Sequence, residues 1–177
     1  MKTLVIGAAI IDIIMKIKRL PKSGEDILCS ETVSAVGGCA YNVAGTLRGF
    51  GVDHDLFVPV GRGMYGDMIA GDLEKLGYQI LIREEESDNG YCLCLVEEDG
   101  ERTFITVKGA EGRFRPSWFE QLSQDAYDSI YVAGYQVCGT SGGVISDWMA
   151  GAKDRMKEKR VFFAPGPDRK STRLNSS

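Results

Sequence analysis

Short, continuously apolar runs alternate along the chain with stretches whose apolar residues recur at helical spacing. Leu4 to Ile11 is apolar throughout and stops at Asp12, which predicts a central parallel strand buried on both faces. From Ile13 to Leu20 the pattern changes. Met15 and Ile17 alternate with Lys16 and Lys18, as in a sheet with one wet face. Pro21 to Glu25 turns the chain, and Ile27 to Val36 is a second extended run with Cys29, Val33 and Ala35 on one parity. A helix over about Gly38 to Phe50 follows. Val43, Leu47 and Phe50 form its stripe, and Gly49 and Gly51 stop it. Leu56 to Val60 is a short strand. Gly61 to Asp67 leads into a helix with Met68, Ile69, Leu73 and Leu76 inward and Gly77 at its C′ position, and Tyr78 to Ile82 returns as a strand.

The clearest local signal is a β-hairpin. Tyr91 to Val96 and Arg102 to Val107 are β-rich and joined by Glu97-Glu98-Asp99-Gly100-Glu101, which contains Asp-Gly. Glu84 to Glu86 read as a solvated loop. Pro116 suits N1 of a short helix through Leu122. Ser129 to Ala133 is a strand, and Ser141 is placed to cap a helix carrying Val144, Ile145, Trp148 and Met149. Val161 to Ala164 is the last strand, broken by Pro165-Gly166-Pro167. The order is βαβαβ with hairpin material inserted twice. It predicts an α/β fold: a mostly parallel sheet with helices on both faces, plus a second, smaller sheet. Ligands of such sheets bind beyond the C-terminal strand ends. Asp12, the Gly37-Gly38 pair and the segment after Ala133 fall there.

Ser34 to Gly51 carries the chemistry. A glycine pair lets backbone approach a ligand closely, and a helix beginning just after it points free N–H groups at the same spot. Asn42, in the first helical turn, can donate and accept together. Such a floor suits a hydroxyl-rich neutral ligand as well as an anion. A tight strand-to-helix turn with a polar cap is the alternative.

Length and charge narrow the field. The chain's 177 residues make one sizeable core. A net charge of -4 argues against nucleic acid as a partner. The five cysteines show no CxxC or zinc spacing, which fits reduced thiols in a cytoplasmic protein. Cys92 and Cys94 share one strand face, where small buried thiols suffice. His54, without a second histidine to bind metal, reads as an exposed loop residue. The first apolar run is too short to cross a membrane and lacks a signal-peptide cleavage site.

In order, these motifs resemble the PfkB, or ribokinase, family of carbohydrate and nucleoside kinases. The matching set is Asp12, then Gly-Gly-x-x-x-Asn (Gly37, Gly38, Asn42), then G-x-x-x-x-G-D (Gly61 to Asp67), the hairpin with D-G-E-R-T, and Gly109-Ala110. The likeness spans about residues 3 to 168. It implies a ribokinase-like α/β domain over residues 1–168, with lid strands at about 13–36 and 89–108. It implies transfer of the γ-phosphoryl group of ATP, with Mg²⁺, to a hydroxyl of a sugar or nucleoside, and a possible homodimer through the lid. By the same resemblance Asp12 accepts hydrogen bonds from ligand hydroxyls, Gly37 and Gly38 offer backbone, and Asn42 offers its amide. Cys92 and Thr106 look down from the lid, and Gln136 is a polar ligand contact. On the residues alone, a strand-end turn role for Asp12 and a surface amide for Gln136 stay open.

Two departures shape the expectation. The Gly-Ala-Gly-Asp element that supplies the family's anion hole and general base does not occur in the sequence, and neither does Asn-x-x-Glu or a P-loop. Residues 169–177, RKSTRLNSS, resemble translated adapter sequence rather than the family. The expectation is the N-terminal half of a kinase, inactive and poorly soluble alone, whose intact form is the enzyme. The alternatives are a non-catalytic sugar- or nucleoside-binding module and, more distantly, a dinucleotide-binding oxidoreductase. The latter wants G-x-G-x-x-G where Gly7-Ala8-Ala9-Ile10 stands.

Overall fold

The apolar run Leu4 to Ile11 is two strands, not one. The computed structural model describes residues 1–139, 141–151 and 159–166. The expectations for Pro167 and residues 169–177 lie outside them. In chain order the elements are β1 (Lys2–Ile6), β2 (Ile10–Ile17), β3 (Cys29–Gly37), α1 (Cys39–Gly49), β4 (Asp53–Phe57), β5 (Pro59–Val60) and α2 (Met64–Lys75). Then come β6 (Ile82–Arg83), β7 (Tyr91–Val96), β8 (Arg102–Val107), α3 (Pro116–Phe119), β9 (Ser129–Ala133), α4 (Gly134–Val137), α5 (Gly142–Gly151) and β10 (Arg160–Ala164).

β10, β9, β1 and β4 form a parallel sheet in that order. Side chains of β1 alternate between its faces, and both faces are covered. Val5 packs with Ala40 and Ala44 of α1 and Ile69 and Leu73 of α2. Leu4 and Ile6 pack on the other side with Phe114, Phe119 and Ile145. Helix α1 approaches through its two buried alanines, one turn apart. Phe50, expected in its stripe, lies past the helix end and is 80% exposed. Likewise Met68 sits on the outer side of α2, while Ile69 and Leu73 face inward. Gly77, with φ of +80°, follows the α2 C-cap as expected.

At Gly7 the chain leaves this sheet. A Cβ there would sit 2.7 Å from Ala40 Cβ and 2.9 Å from Ala133 Cβ, so only glycine passes between α1 and the end of β9. The strand resumes as β2 in a second sheet, ordered β3-β2-β7-β8. β2 pairs antiparallel with β3 and parallel with β7, and β7 pairs antiparallel with β8. Asp12 therefore lies inside a strand of the smaller sheet, not at the end of the central one. Both segments are apolar because both are buried, so hydropathy alone does not mark the crossing.

The hairpin β7–β8 has the limits its sequence predicts. Glu97 N–H donates to Glu101 C=O and Gly100 N–H to Glu97 C=O, both at 2.9 Å, and Gly100 adopts φ of +88°. Other local expectations change. Tyr78 to Ile82 is mostly irregular, leaving β6 to pair with β5. α3 stops at Phe119 rather than Leu122. His54 lies within β4, with its ring nitrogens 2.7 Å from Val52 C=O and 2.8 Å from Tyr78 OH. Glu84 is not solvated. It is 4% exposed and ion-paired to Arg115 at 2.8 Å. Among the described residues no helix is long and apolar enough to cross a membrane.

Candidate functional site

The small sheet stands beside the C-terminal end of the parallel one, and α1 begins between them. Its N-cap is Gly38, with φ of +102° and ψ of 150°. No side chain caps this end and no acidic residue occupies the first turn. No group of α1 itself offsets the positive end of the helix dipole, and the Asp12 carboxylate stands close enough to act on the Cys39 thiol. Gly37, one residue earlier, is required by a different neighbour: a Cβ there would overlap the Asp12 carboxylate.

Strand register brings the predicted residues together. Asp12 pairs with Cys92, and Cys92 with Thr106, so the three form one row across β2, β7 and β8. Thr106 Oγ1 lies 3.6 Å from Cys92 Sγ. The row faces a cavity of about 350 Å³ whose lining includes Asp12, Gly38, Asn42, Cys92, Thr106 and Gln136. Gly37 is not part of the lining; it makes room for Asp12. Gln136 lies in α4, just past the end of β9, and is 8% exposed. Its Oε1 is buried with no hydrogen-bond partner among the described residues. Leaving such an acceptor unpaired costs about 1–3 kcal/mol, so a donor that reaches this amide recovers a real deficit.

Burial pushes the Asp12 carboxyl above its usual range. Cys39, the first residue of α1, also lines the cavity. Its thiol is pushed up by burial and then by the nearby Asp12 charge, which disfavours the thiolate a nucleophile needs.

The sequence reading missed Phe104, Lys108, Glu111 and Tyr135, which share the lining. The alternation Phe104, Thr106, Lys108 down the second hairpin strand was the available signal. Glu111 gave none. It is 4% exposed, and its carboxylate accepts from Gly90 N–H at 2.8 Å and Gly109 N–H at 2.9 Å. Asn89 and Asp88 complete a buried polar junction between the sheets. Asn89 Oδ1 accepts from Gly61 N–H at 2.6 Å, and its Nδ2 donates to Ala9 C=O at 3.1 Å and Pro59 C=O at 3.0 Å. Asp88 accepts from Gly66 N–H at 2.6 Å and Tyr65 N–H at 3.2 Å, at the start of α2. Ser141 ties the neighbouring loop instead of serving only its own helix: its hydroxyl accepts from Phe114 N–H at 2.7 Å and donates to Gly112 C=O at 2.8 Å.

A parallel sheet flanked by helices, with a small sheet standing over a cavity, is the architecture of ribokinase-fold proteins. The structure of ribokinase from Giardia lamblia matches with a TM-score of 0.84 at 23% identity, covering 96% of this chain and 56% of that one. Arabidopsis thaliana ribokinase complexed with ribose and ATP matches with a TM-score of 0.73 at 22% identity, covering 94% and 54%. The family model for pfkB family carbohydrate kinases matches residues 1–172, and the chain belongs to that family. In sequence it is 37% identical over 164 residues to a protein described as "Uncharacterized sugar kinase YegV" of Escherichia coli (strain K12). That match covers 93% of this chain and 50% of the relative, so the chain spans about half the relative's length. An Arabidopsis thaliana ribokinase is 28% identical over 134 residues, covering 73% and 35%.

Proposed function

We propose that the cavity is the acceptor site of a kinase that phosphorylates a hydroxyl of a sugar or nucleoside at the expense of ATP. The observation that carries this reading is the row of Asp12, Cys92 and Thr106 facing a backbone-lined floor at Gly38. An ionised carboxylate accepts two hydroxyl donors in fixed geometry, which is how a polyol is gripped and oriented. In this reading the small sheet is the lid, excluding water, and Asn42 and Gln136 fix the remaining hydroxyls. Strands β3 and β8, which are edges of the small sheet among the described residues, support pairing of the lid with a second copy. ATP and Mg²⁺ enter by kinship. ATP supplies the phosphoryl group, but among the described residues no group of three or more His, Cys, Asp or Glu side chains is placed to hold a metal ion. No step through either group is assigned to this chain.

The test is Asp12→Asn. Each charge-assisted hydrogen bond lost costs about 1.5–3 kcal/mol of sugar affinity, measured by calorimetry. The pH dependence follows from the raised carboxyl. Binding weakens as pH falls through that raised value, because the protonated acid loses acceptor capacity. For the empty fold, a folded-state pKa above the unfolded one means the ionised group is disfavoured at higher pH. Asp12→Asn therefore leaves thermal stability unchanged or higher at neutral pH while affinity drops. Unchanged affinity, with the fold intact, removes Asp12 from the site.

A binding module that holds the ligand without phosphorylating it is the second reading, and a phosphoryl-transfer assay on the protein that carries this chain separates the two. The 177-residue chain alone gives no phosphoryl transfer to any sugar or nucleoside in an assay free of host kinases. Measurable transfer refutes this expectation.

A further inference from the structure

We propose that Lys108 reads an anionic group on the acceptor, so that the substrate is a sugar carrying a carboxylate or phosphate beside its hydroxyls. The inference rests on the acceptor-site reading and narrows it. Lys108 directly follows β8, and with Phe104 and Thr106 it lines the cavity. Its stem runs over Gly112: a Cβ on that glycine would lie 3.6 Å from Lys108 Cβ and 3.7 Å from its Cδ. The ammonium reaches towards the segment after α4, where a Cβ on Gly139 would lie 3.9 Å from Nζ. The side chain thus crosses from the hairpin to the opposite wall.

Lys108 is exposed, and among the described residues no carboxylate lies within ion-pair distance of it. Of the two carboxylates that line the cavity, neither forms an ion pair with Lys108. Glu111 spends its two oxygens on the Gly90 and Gly109 peptides, and Asp12 sits in the row across β2. The uncapped N-terminus of α1, at Gly38 and Cys39, adds positive potential to the same space. The buried, unpartnered amide oxygen of Gln136 independently marks the cavity as built to be completed by a ligand. Asp12 gripping hydroxyls at one side and Lys108 an anion at the other describes an acidic polyol better than a neutral one. A nucleoside, its base against Phe104 and Tyr135, is the competing occupant.

The experiment measures dissociation constants by calorimetry in the protein that carries this chain, with four probes: a neutral hexose, a hexonate, a hexose monophosphate and a nucleoside. One of the two anionic probes binds about 10- to 100-fold tighter than the hexose, the span of one hydrogen bond to a charged group. Which of the two it is tells carboxylate from phosphate. Lys108→Met removes that preference, bringing the anionic probe to the affinity of the hexose in the same variant, Lys108→Arg keeps most of it, and raising the salt concentration erodes it. A merely structural lysine would not produce this split. A hexose or nucleoside that binds as tightly as both anions, or a preference that survives Lys108→Met, overturns the inference and leaves the acceptor site standing. Binding of none of the four by cooperatively folded protein overturns the acceptor site itself.

Discussion

Gly38→Val abolishes ligand binding and destabilises the fold at once. The residue stands at φ of +102°, where a β-branched side chain is strongly disfavoured. A Cβ there would lie 2.5 Å from Ala8 C=O oxygen, 3.1 Å from its carbonyl carbon and 3.2 Å from Ala9 Cα. Backbone does not swing aside as a flexible side chain does. The cost is about 1–3 kcal/mol from the dihedral alone, with the overlap added. Relief requires Ala8–Ala9 or the start of α1 to move, and Ala8, Gly38, Cys39 and Asn42 all line the cavity. Gly45→Ala is the matched control. It lies in the same helix with nothing within 4 Å of its Cβ, and gains roughly 0.5–1 kcal/mol. Chemical denaturation and calorimetry on both variants separate the effects. A Gly38→Val protein that binds normally would show the glycine pair to be a turn and nothing more.

What could be read from the sequence follows from how each feature signals itself. The hairpin was legible because alternation and an Asp-Gly turn are local, and β7 and β8 need only each other to set their register. The two-faced sheet was legible because β1, β9 and β4 are buried by helices of opposite faces. Gly37, Gly38 and Asn42 were found through spacing, and Asp12 through its place after an apolar run. The run itself misled, since a strand that changes sheets at Gly7 keeps its hydropathy. Buried polar residues were the blind spot. Asn89 and Glu111 look like surface residues in a sequence because most of their kind are exposed. Only the fold shows that Gly61, Gly90 and Gly109 present backbone N–H groups to them. Glu84 was misread for the same reason: its partner Arg115 is distant along the chain. Lys108 was hidden differently, one residue beyond the strand whose parity it continues.

The largest loss of stability is expected at Asn89→Leu. The side chain is 3% exposed and joins segments far apart in sequence, holding Gly61 N–H, Ala9 C=O and Pro59 C=O. Leucine is close in volume, so the change removes hydrogen bonds rather than packing. Each buried backbone group left unpaired costs about 1–3 kcal/mol, so three together amount to roughly 3 kcal/mol or more. Asn89→Asp is nearly as damaging, for a separate reason: it keeps an acceptor for Gly61 but sets a carboxylate oxygen against two carbonyl oxygens. The position matters for function because Ala9 ends the crossing to β2, and Gly90 C=O accepts from Ile11 N–H at 3.3 Å. Freed of Asn89, the small sheet is no longer pinned to the parallel one, and Asp12 and Cys92 lose their fixed distance from Gly38. Denaturant unfolding reads the stability term. Amide exchange at Gly61 and Ile11 reads the junction, with protection lost at both before the centre of β1 opens. A loss below about 1 kcal/mol, within the range of one ordinary hydrogen bond, would mean that Asn89 does not hold the two sheets together.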